Sequence, residues 1–331
     1  MRVLVTGSAG FIGAHLAARL LGDGCEVWGV DNLSDYYSVR LKRDRMAALL
    51  DHGRFHHCEV DITDAPALAD VFAEARPERV FHLAGQAGVR HSLQAPREYV
   101  DSNVVGSFNT VELCREHAVS HLVMASTSSA YGARPGEVFR ETDPATFPLT
   151  AYAATKRAAE LLAHSISHLH GLPVTVLRFF TVYGPWGRPD MAPHRFAQRL
   201  LAGEPLPIYG EGEMSRDFTY VGDLVASMVA LGDVPPVFGE AVEGDSLSPV
   251  APFRTVNIGG SRPTPLLDFV RTLAGALGVE AELDLQPMQP GDVRTTHASS
   301  SLLQELTGSV PDTPLELGMR KFTDWYRSYY A

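Results

Sequence analysis

The chain has 331 residues, 45% of them hydrophobic, and a formal net charge of −11 at pH 7. This length and composition predict a globular protein with a sizeable buried core, and the negative charge argues against a nucleic-acid partner. The first residues do not resemble a secretory signal and no apolar run reaches the length of a membrane span, so we expect a cytoplasmic protein without a membrane partner.

The first part of the chain alternates short apolar, β-rich runs with helical stretches. Strands are predicted over residues 3–7, 25–31, 55–62, 79–85, 121–127 and 174–180. Helices are predicted near residues 11–22, 38–51, 64–75, 95–117 and 150–169. This alternation is typical of βαβ units with a buried parallel sheet, whose ligands bind beyond the carboxyl ends of the strands. The predicted fold class is therefore α/β with a doubly wound parallel sheet.

After about residue 181 the pattern changes to loops rich in proline and glycine, with shorter elements between them. We interpret residues 1–180 as a nucleotide-binding domain and residues 181–331 as a smaller C-terminal α/β domain on the substrate side. Residues 216–233 are an exception, because they resemble a strand and a helix that return to the main sheet. The segment 234–252 is expected to be an exposed, mobile loop.

Three glycines, Gly7, Gly10 and Gly13, follow the first predicted strand and begin the first helix. Glycines there allow a tight turn and the close approach of a pyrophosphate, which the helix N-terminus stabilises through its free N–H groups. Asp31 ends the next strand, where a carboxylate can accept the hydroxyls of an adenosine ribose and repel a 2′-phosphate. The combination predicts a Rossmann-type site that prefers NAD to NADP. Asp61 is a candidate adenine neighbour, although an aspartate that only terminates a strand is equally common.

The stretch AYAATKRAAE places Tyr152 four residues before Lys156 in a segment that should be helical. One helical turn separates the two residues, so both side chains point from one face and can act on one atom. A nearby ammonium and a cationic cofactor stabilise the phenolate, which makes the tyrosine a usable base near neutral pH. The pair indicates proton abstraction from a hydroxyl, although an isolated pair of this spacing is more often part of an ordinary surface helix.

The glycine turn, the Tyr152–Lys156 pair and the segment MASTSSAYG occur together, and the sequence resembles the extended short-chain dehydrogenase/reductase family along nearly its whole length. The stretches GVDNLSDYY, HLAGQAGVRHSL, RFFTVYGPWGRPDM and MQPGDV resemble the nucleotide-sugar epimerases of this family that act on UDP-glucuronate. The resemblance implies that Tyr152 is the catalytic base, that Lys156 contacts the nicotinamide ribose and lowers the pKa of the tyrosine, and that Thr127 hydrogen-bonds the reacting oxygen. It also implies contacts to NAD from Phe11, Ile12, Asp31, Asn32, Asp61, Ile62, Leu83, Ala84, Gln86 and Asn103.

Epimerisation at C4 of a UDP-sugar is the reaction that these motifs favour. The related enzymes all oxidise the C4 hydroxyl to a 4-keto sugar, but a 4,6-dehydratase also needs Asp-Glu after its threonine, and a glucuronate decarboxylase has Glu two positions after it. Here those positions are Ser128 and Ser129, which cannot act as a general base at neutral pH without an activating partner. We therefore predict the NAD-dependent conversion of UDP-glucuronate to UDP-galacturonate. The alternatives are a UDP-glucose 4-epimerase, a UDP-glucuronate decarboxylase and a non-catalytic NAD-binding regulator.

A uronic acid oxidised at C4 is a β-keto acid and tends to lose CO₂. We hypothesise that a set of hydroxyls holds the substrate carboxylate near the plane of the C4 carbonyl, where the C–C bond cannot overlap with the π system. The residues of this set are Thr127, Ser128, Ser129 and Thr181. For the two serines, simple packing of small side chains against the cofactor is an equally weighted alternative.

Three arginines and an aspartate are predicted to bind the rest of the substrate. Guanidinium groups bind phosphate and carboxylate bidentately, and Arg216 resembles the phosphate contact of the family most closely, ahead of Arg90 and Arg188. Asp292 resembles the contact to the uridine ribose, and residues 207–210 are expected to contact uracil. Gln289 stands where related epimerases often have arginine, so the phosphate contacts are expected to differ.

No metal site is predicted from the cysteines or histidines. Cys25, Cys58 and Cys114 have no CxxC spacing, and His164 and His168 are one turn apart without a carboxylate to complete a site. We expect free thiols and packed or solvated histidines. Family members commonly pair through the helices near 95–117 and 150–169, so the resemblance also implies a homodimer.

Overall fold

Strands and helices alternate along the chain in a computed structural model that describes residues 1–133, 138–288 and 294–330. The strands are β1 (Arg2–Thr6), β2 (Glu26–Val30), β3 (Phe55–Cys58), β4 (Arg79–His82), β5 (His121–Thr127), β6 (Val174–Phe179), β7 (Thr181–Tyr183), β8 (Leu206–Tyr209), β9 (Ser215–Tyr220), β10 (Phe253–Ile258), β11 (Pro263–Pro265) and β12 (Leu283–Gln286). The helices are α1 (Phe11–Gly22), α2 (Val39–Leu50), α3 (Ala65–Ala75), α4 (Pro96–Tyr99), α5 (Ser107–Glu116), α6 (Ala151–His170), α7 (Ala192–Ala202), α8 (Val221–Gly232), α9 (Leu266–Leu277), α10 (Ser301–Thr307) and α11 (Leu315–Tyr330).

A parallel sheet forms the centre of the molecule. Within the described residues it has seven strands in the order β3-β2-β1-β4-β5-β6-β10, and each pair of neighbours is parallel. The strand order reverses between β1 and β4, and ligands of open α/β sheets bind in the crevice at such a switch point. This topology confirms the predicted α/β class with a Rossmann-type, doubly wound sheet.

Each face of the central sheet is covered by its own apolar core, as expected for a parallel sheet with helices on both sides. Alternate residues of β1 face opposite ways: Val3 and Val5 pack with α1 and α8, whereas Leu4 packs with α3 and α6. All three side chains are fully buried. Because neither face of the sheet meets solvent at its central strands, a site for polar ligands is expected at the strand ends.

The C-terminal part of the chain forms smaller sheets around a third apolar core. Among the described residues, β7, β9 and β11 make one sheet, and β8 pairs with β12. The core includes Phe269 of α9 and Phe322 of α11, both fully buried. The division into domains at residues 180 and 181 stays a prediction, because β10 and α10, which follow residue 181, pack with the central sheet.

The segment 216–233 returns to the main body in a different way from the prediction. Its strand, β9, pairs with β7 and β11 in the small sheet and not with the central sheet. Its helix, α8, packs against α1 in the main core. The strand that returns to the central sheet is β10, which pairs with β6 and which the sequence did not predict.

The segment 234–252, expected to be an exposed and mobile loop, is exposed at Phe238 (59%) but fixed at several other points. Asp245 accepts two hydrogen bonds from Arg254, at 2.8 and 2.9 Å, and both side chains are buried. His164 and His168 of α6 also hydrogen-bond to this segment. These contacts argue against a mobile loop and give the two histidines a structural role.

In the part of the chain that the structure describes, no group of His, Cys, Asp and Glu could hold a metal ion.

The helix predicted over 95–117 is interrupted in its middle. Residues Val100–Gly106, between α4 and α5, form a π-helix, a feature that often occurs at functional sites. It carries Asn103, which is fully buried. Neither this helix nor any other helix of the described residues is long and apolar enough to cross a membrane.

Candidate active site

The glycine turn after β1 has the geometry that its sequence predicts. Gly7 adopts a φ of +76°, and its N–H donates to the carbonyl of Val30 at 2.7 Å. A Cβ on Gly13 would lie 2.0 Å from the carbonyl oxygen of Gly7, so a larger residue cannot fit unless the turn moves. Gly10 is the N-cap of α1 and brings no side chain to its first-turn amides. Those amides suit an anion such as a pyrophosphate.

Asp31 follows β2 with both carboxylate oxygens bound to backbone amides. Its Oδ2 accepts from the N–H of Ala9 at 3.0 Å, and its Oδ1 accepts from the N–H of Leu33 at 2.9 Å. These bonds hold the carboxylate beside the glycine turn, and each oxygen keeps a second lone pair for a ribose hydroxyl. The position is suitable for the predicted contact with the adenosine ribose.

Asn32 and Asp61, two of the residues assigned to the adenosine end, contact each other. Asn32 Nδ2 donates to Asp61 Oδ2 at 2.7 Å, and Asp61 Oδ1 accepts from the N–H and the hydroxyl of Thr63. Burial would raise the pKa of Asp61, but these hydrogen bonds hold it below its usual value. Asp61 is therefore an ionised turn residue that also fixes its neighbour Asn32 at the edge of the sheet.

The remaining cofactor candidates line the switch point of the sheet. The hydroxyl of Thr6 accepts from the N–H groups of Leu83 and Ala84, both at 3.1 Å, which holds the end of β4 against the end of β1. Three apolar candidates are partly or fully buried at the same edge: Phe11, Ile12 and Ile62. The structure therefore brings these residues to one edge of the sheet.

The residues between the switch point and α6 fit the nicotinamide half of NAD. Asn103 donates from Nδ2 to the carbonyl of Gln86 at 3.0 Å and to the hydroxyl of Thr155 at 3.2 Å, whereas its buried Oδ1 has no partner among the described residues. A Cβ on Gly85 would lie 2.6 Å from that oxygen and 3.1 Å from Lys156 Nζ. A free acceptor, an ammonium and a glycine together make a cradle for ribose hydroxyls.

Lys156 is on the buried face of α6, a helix whose first turn is capped by the hydroxyl of Thr150. Its Nζ donates to the carbonyl of Ala125 at 3.0 Å. Burial lowers the pKa of Lys156 to about 8, and the carboxylate of Glu160 acts in the opposite direction. The group is thus still mostly an ammonium at neutral pH, with further N–H donors for a ligand.

A buried cluster around Glu160 lies next to Lys156 and was missed in the sequence. The Glu160 carboxylate accepts from Arg178 at 2.7 and 3.1 Å, from Arg157 at 2.7 Å and from the hydroxyl of Ser126 at 2.5 Å. The available signal was spacing: a glutamate four residues after Lys156 faces the same side of the helix. A charged residue on a buried face needs a charged partner.

Tyr152 lies among Thr127, Tyr99 and Arg188. Burial raises the pKa of Tyr152, while a hydrogen bond with Thr127 and the charge of Arg188 act in the opposite direction. The ring of Tyr99 meets the ring of Tyr152 edge to face, with 6.0 Å between centroids. Among the described residues, Thr127 and Arg188 favour the phenolate, and the lowering of this pKa by Lys156 that the resemblance implies stays a prediction. A cationic cofactor beside the ring would add to their effect.

The four hydroxyl residues of the carboxylate hypothesis lie at neighbouring strand ends. Thr127 ends β5 in register with Phe179 of β6, and Thr181 begins β7 two residues later. Thr127 Oγ1 also accepts from the N–H of Ser129 at 3.1 Å, which fixes the turn after the strand. Ser128, Ser129 and Thr181 are partly exposed.

The substrate arginines are divided between two ends of the cleft. The charge of Arg188 opposes the rise of the Tyr152 pKa. Its guanidinium also forms a bidentate pair with the Asp190 carboxylate at 2.5 and 3.0 Å. Arg90 lies over the ring of Tyr209, in the segment expected to contact uracil, with 4.7 Å to the ring centroid. Arg188 is thus at the predicted catalytic end, and Arg90 at the predicted nucleotide end.

Arg216 belongs to the nucleotide end. It donates to two backbone carbonyls at 2.9 and 3.0 Å and contacts the sulfur of Met214 at 3.4 Å. A Cβ on Gly210 would lie 2.9 Å from Met214 Cγ, so Arg216 is linked through Met214 to the segment expected to contact uracil. Asp292 and Gln289 lie outside the described residues, and the contacts expected of them stay predictions.

Comparison with known proteins finds relatives along the whole chain. Residues 3–237 match the model of the NAD dependent epimerase/dehydratase family. The chain is 49% identical to a probable UDP-glucuronate 4-epimerase of Rhizobium meliloti (strain 1021), over 100% of this chain and 98% of that protein. It is 42% identical to UDP-glucuronate 4-epimerase 4 of Arabidopsis thaliana, over 99% of this chain and 76% of that protein.

Two solved structures show the same fold over their full length. The UDP-glucuronic acid 4-epimerase from Bacillus cereus, in complex with UDP-glucuronic acid and NAD, has a TM-score of 0.88 and 32% identity, with 100% of both chains covered. A UDP-glucose 4-epimerase from Thermotoga maritima, with UDP-glucose, has a TM-score of 0.86 and 29% identity, again over 100% of both chains.

Proposed function

The chain belongs to the NAD dependent epimerase/dehydratase family, and we propose that it is an isomerase that converts UDP-glucuronate to UDP-galacturonate by epimerisation at C4. The observation that carries the proposal is the meeting of Thr127, Tyr152 and Lys156 beside a dinucleotide cradle, with serines in the two positions after Thr127. The relatives with this activity span the chain, and the Bacillus cereus enzyme was solved with both NAD and UDP-glucuronic acid.

Tyr152 is assigned the proton transfer. Its phenolate oxygen accepts the proton of the C4 hydroxyl and later returns a proton to the same oxygen, while the hydroxyl of Thr127 hydrogen-bonds to that oxygen. Lys156, anchored at the carbonyl of Ala125, would hold its ammonium toward the nicotinamide ribose. NAD held by Asn103, Gly85 and Lys156 would supply the redox chemistry at C4 when bound. The net redox change is zero.

The serines favour epimerisation over the other outcomes of a 4-keto sugar. Ser128 and Ser129 offer hydrogen bonds but no carboxylate, so neither is suited to the acid–base steps of a 4,6-dehydratase. We propose that they act with Thr127 and Thr181, which lie at neighbouring strand ends, to hold a substrate carboxylate in the plane of the C4 carbonyl. This arrangement would disfavour loss of CO₂ from the oxidised uronic acid.

The arginines are assigned by their place in the cleft. We propose that Arg216 and Arg90, at the nucleotide end, bind the diphosphate, and that Arg188, beside Tyr152, binds near the sugar. Asp292 is proposed to contact the uridine ribose.

Proton NMR of the purified protein with UDP-glucuronate and no added NAD tests the proposal, because the anomeric signals separate the products. The expected result is UDP-galacturonate. UDP-xylose or a 4-keto pentose would instead identify a decarboxylase, and turnover of UDP-glucose alone would identify a UDP-glucose 4-epimerase. No change with any of these sugars, even after NAD is added, would favour a non-catalytic NAD-binding regulator.

We also propose that the protein is a homodimer and is cytoplasmic. The helices assigned to the dimer interface expose apolar side chains: Val100, Val105, Leu161 and Leu169 are 40–66% exposed. Sedimentation equilibrium at micromolar concentration tests the dimer, and a monomer mass would reject it.

The proposed cytoplasmic location is supported by the cysteines. All three are free thiols, as is usual in a reducing compartment, and cell fractionation tests the location.

A further inference from the structure

Arg45, on α2, is buried and touches two segments that border the cleft. Its Nη1 donates to the carbonyl of Ala9 in the glycine turn at 3.2 Å and to the hydroxyl of Tyr37 at 2.6 Å. Its Nε donates to the carbonyl of Trp186 at 2.9 Å, and its Nη2 to the carbonyl of Gly187 at 3.2 Å. None of these four acceptors is a carboxylate. Through these bonds the guanidinium connects the cofactor turn to the segment 186–187 after β7.

The segment that Arg45 holds after β7 is strained. Trp186 has a φ of +61°, a left-handed conformation that is unfavourable for a bulky residue unless its surroundings enforce it. The Trp186 ring contacts Trp325 at 5.3 Å and Tyr329 at 5.1 Å, measured between centroids. The hydroxyl of Tyr329 donates to Asp44, the residue before Arg45. Helix α2 therefore holds Trp186 at two points. Arg45 binds the Trp186 carbonyl, and Asp44 binds Tyr329, whose ring contacts the ring of Trp186.

The strained segment leads directly into Arg188. The guanidinium of Arg188 pairs with Asp190, and Asp190 also accepts from the hydroxyl of Tyr36 at 3.3 Å. The positive charge of Arg188 opposes the rise of the Tyr152 pKa. Because Gly187 and Arg188 share a peptide bond, a shift of the Gly187 carbonyl moves the base of the Arg188 side chain. Arg45 fixes the backbone at this point through the carbonyls of Trp186 and Gly187, and its planar guanidinium also reaches two neutral acceptors outside this segment.

We propose that Arg45 is a positioning residue that holds Arg188 at the sugar end of the cleft and ties it to the cofactor turn through Ala9. Arg45 affects the sugar through Arg188, so its loss weakens binding of the sugar acid more than binding of the nucleotide. The inference rests on the proposed function for the identity of the sugar that Arg188 meets.

Isothermal titration of the NAD-loaded protein tests the proposal. The titrations use a Tyr152→Phe background, which removes the proposed base and so prevents turnover, with UDP-glucuronate and UDP as the two ligands. In this background Arg45→Met is expected to raise the Kd of UDP-glucuronate about tenfold, equivalent to about 1.4 kcal/mol, and that of UDP less than about twofold. Arg43→Met, on an exposed position of the same helix, is the matched control and should change neither Kd.

The double variant Arg45→Met with Arg188→Met decides whether one residue acts through the other. If it does, the double variant binds UDP-glucuronate no more weakly than Arg188→Met alone. Additive losses, an equal loss for UDP, or no loss in Arg45→Met would each overturn the proposal. If Arg45→Met fails to fold, Arg45→Lys, which keeps the charge and loses the planar fork, is titrated in its place with the same expectations.

A second measurement does not depend on the identity of the sugar. Hydrogen exchange of the NAD-loaded protein should be faster in peptides covering residues 184–190 of Arg45→Lys than in those of Arg43→Lys, with exchange in the central strands unchanged. Absence of UDP-glucuronate binding in the parent protein would count against the proposed function alone. Unchanged exchange over residues 184–190 would overturn the role of Arg45.

Discussion

Lys156 and Glu160 lie one turn apart on α6, and both are anchored to consecutive residues of β5. The ammonium of Lys156 donates to the carbonyl of Ala125 at 3.0 Å, and the carboxylate of Glu160 accepts from the hydroxyl of Ser126 at 2.5 Å. Arg178, from the next strand, binds the same carboxylate. The ammonium assigned to the cofactor is therefore held by the carbonyl of Ala125, while the charge of Glu160 opposes the fall of the Lys156 pKa that burial causes.

Replacing Glu160 by Gln removes the charge that opposes the fall of the Lys156 pKa. That pKa is about 8 in the protein and should move about one unit toward neutrality in the variant. Lys156 would then lose its proton, and with it a charged donor to the nicotinamide ribose, at lower pH. NAD retention, measured by equilibrium dialysis between about pH 6 and about pH 9, should fall at a correspondingly lower pH than in the parent protein.

Ser126→Ala is the control for Glu160→Gln, because it removes a hydrogen bond and keeps the carboxylate charge. It should leave the pH at which NAD is lost unchanged. Glu160→Gln also leaves Arg178 buried without a carboxylate, which should lower the free energy of unfolding by about 3–5 kcal/mol. If the folded variant lost NAD at the same pH as the parent protein, Glu160 would have no effect on the charge of Lys156.

Glu141 gives the folded protein a pH dependence of its own. Burial raises the pKa of this carboxyl to about 7, although its Oε1 accepts from the N–H of Asn257 at 3.0 Å. The folded state binds this proton more tightly than the unfolded chain, so folding stability should fall as pH rises from about 4.5 to about 7. Glu141→Gln keeps an acceptor for Asn257 and removes the ionisation.

Urea unfolding of both proteins at about pH 5 and about pH 8 measures this contribution. The free energy of unfolding of Glu141→Gln, relative to that of the parent protein, should increase by about 2–3 kcal/mol from the lower to the higher pH. A difference that is the same at both pH values would mean that the carboxyl of Glu141 ionises over the same pH range in the folded and the unfolded protein, so that burial does not raise its pKa.

Ser128→Ala and Thr181→Ala test the carboxylate hypothesis through the products formed. Each removes one hydroxyl from the set proposed to hold the uronate in plane, so the ratio of decarboxylated to epimerised product should rise, by about tenfold if one good hydrogen bond is lost. NMR of the product mixture measures the ratio. With UDP-glucose, which has no carboxylate to hold, the same variants should turn over at an unchanged rate, and an unchanged product ratio from UDP-glucuronate would reject the hypothesis.

The central sheet could be predicted because its signal is local. Strand β5, predicted over 121–127 and observed over His121–Thr127, is a continuous apolar run buried on both faces. Strand β10 has a weaker local signal, because Arg254 and Asn257 interrupt it. Both residues are buried in the structure, where Asp245 pairs with Arg254 and the hydroxyl of Tyr131 donates to Asn257. Tyr131 comes from a distant segment and Asp245 from the irregular loop before the strand, so the local pattern of β10 contains neither partner.

In the candidate site too, residues with a local sequence signal could be predicted and residues held by contacts from elsewhere in the fold could not. Gly7, Gly13, Asp31 and the Tyr152–Lys156 pair have informative spacings, and the structure brings them to one edge of the sheet. Arg45 was missed because its acceptors are backbone carbonyls in the glycine turn and after β7, as well as one tyrosine hydroxyl. Backbone acceptors leave no trace in the sequence. A buried arginine bound to them is therefore found only once the fold is known.

Two glycines of α1 allow a matched test of the cofactor turn. A Cβ at Gly13 would lie 2.0 Å from the carbonyl oxygen of Gly7, whereas a Cβ at Gly22, the last residue of the same helix, would have no atom within 4 Å. Gly13→Ala should therefore displace the turn, lower the free energy of unfolding by about 1–3 kcal/mol and weaken NAD binding at least about tenfold. Gly22→Ala should bind NAD normally and be more stable by about 0.5 kcal/mol, because alanine restricts the unfolded chain and favours the helix. Thermal unfolding and NAD titration of both variants measure the two effects, and normal NAD binding by Gly13→Ala would show that the turn can relax without losing the pyrophosphate site.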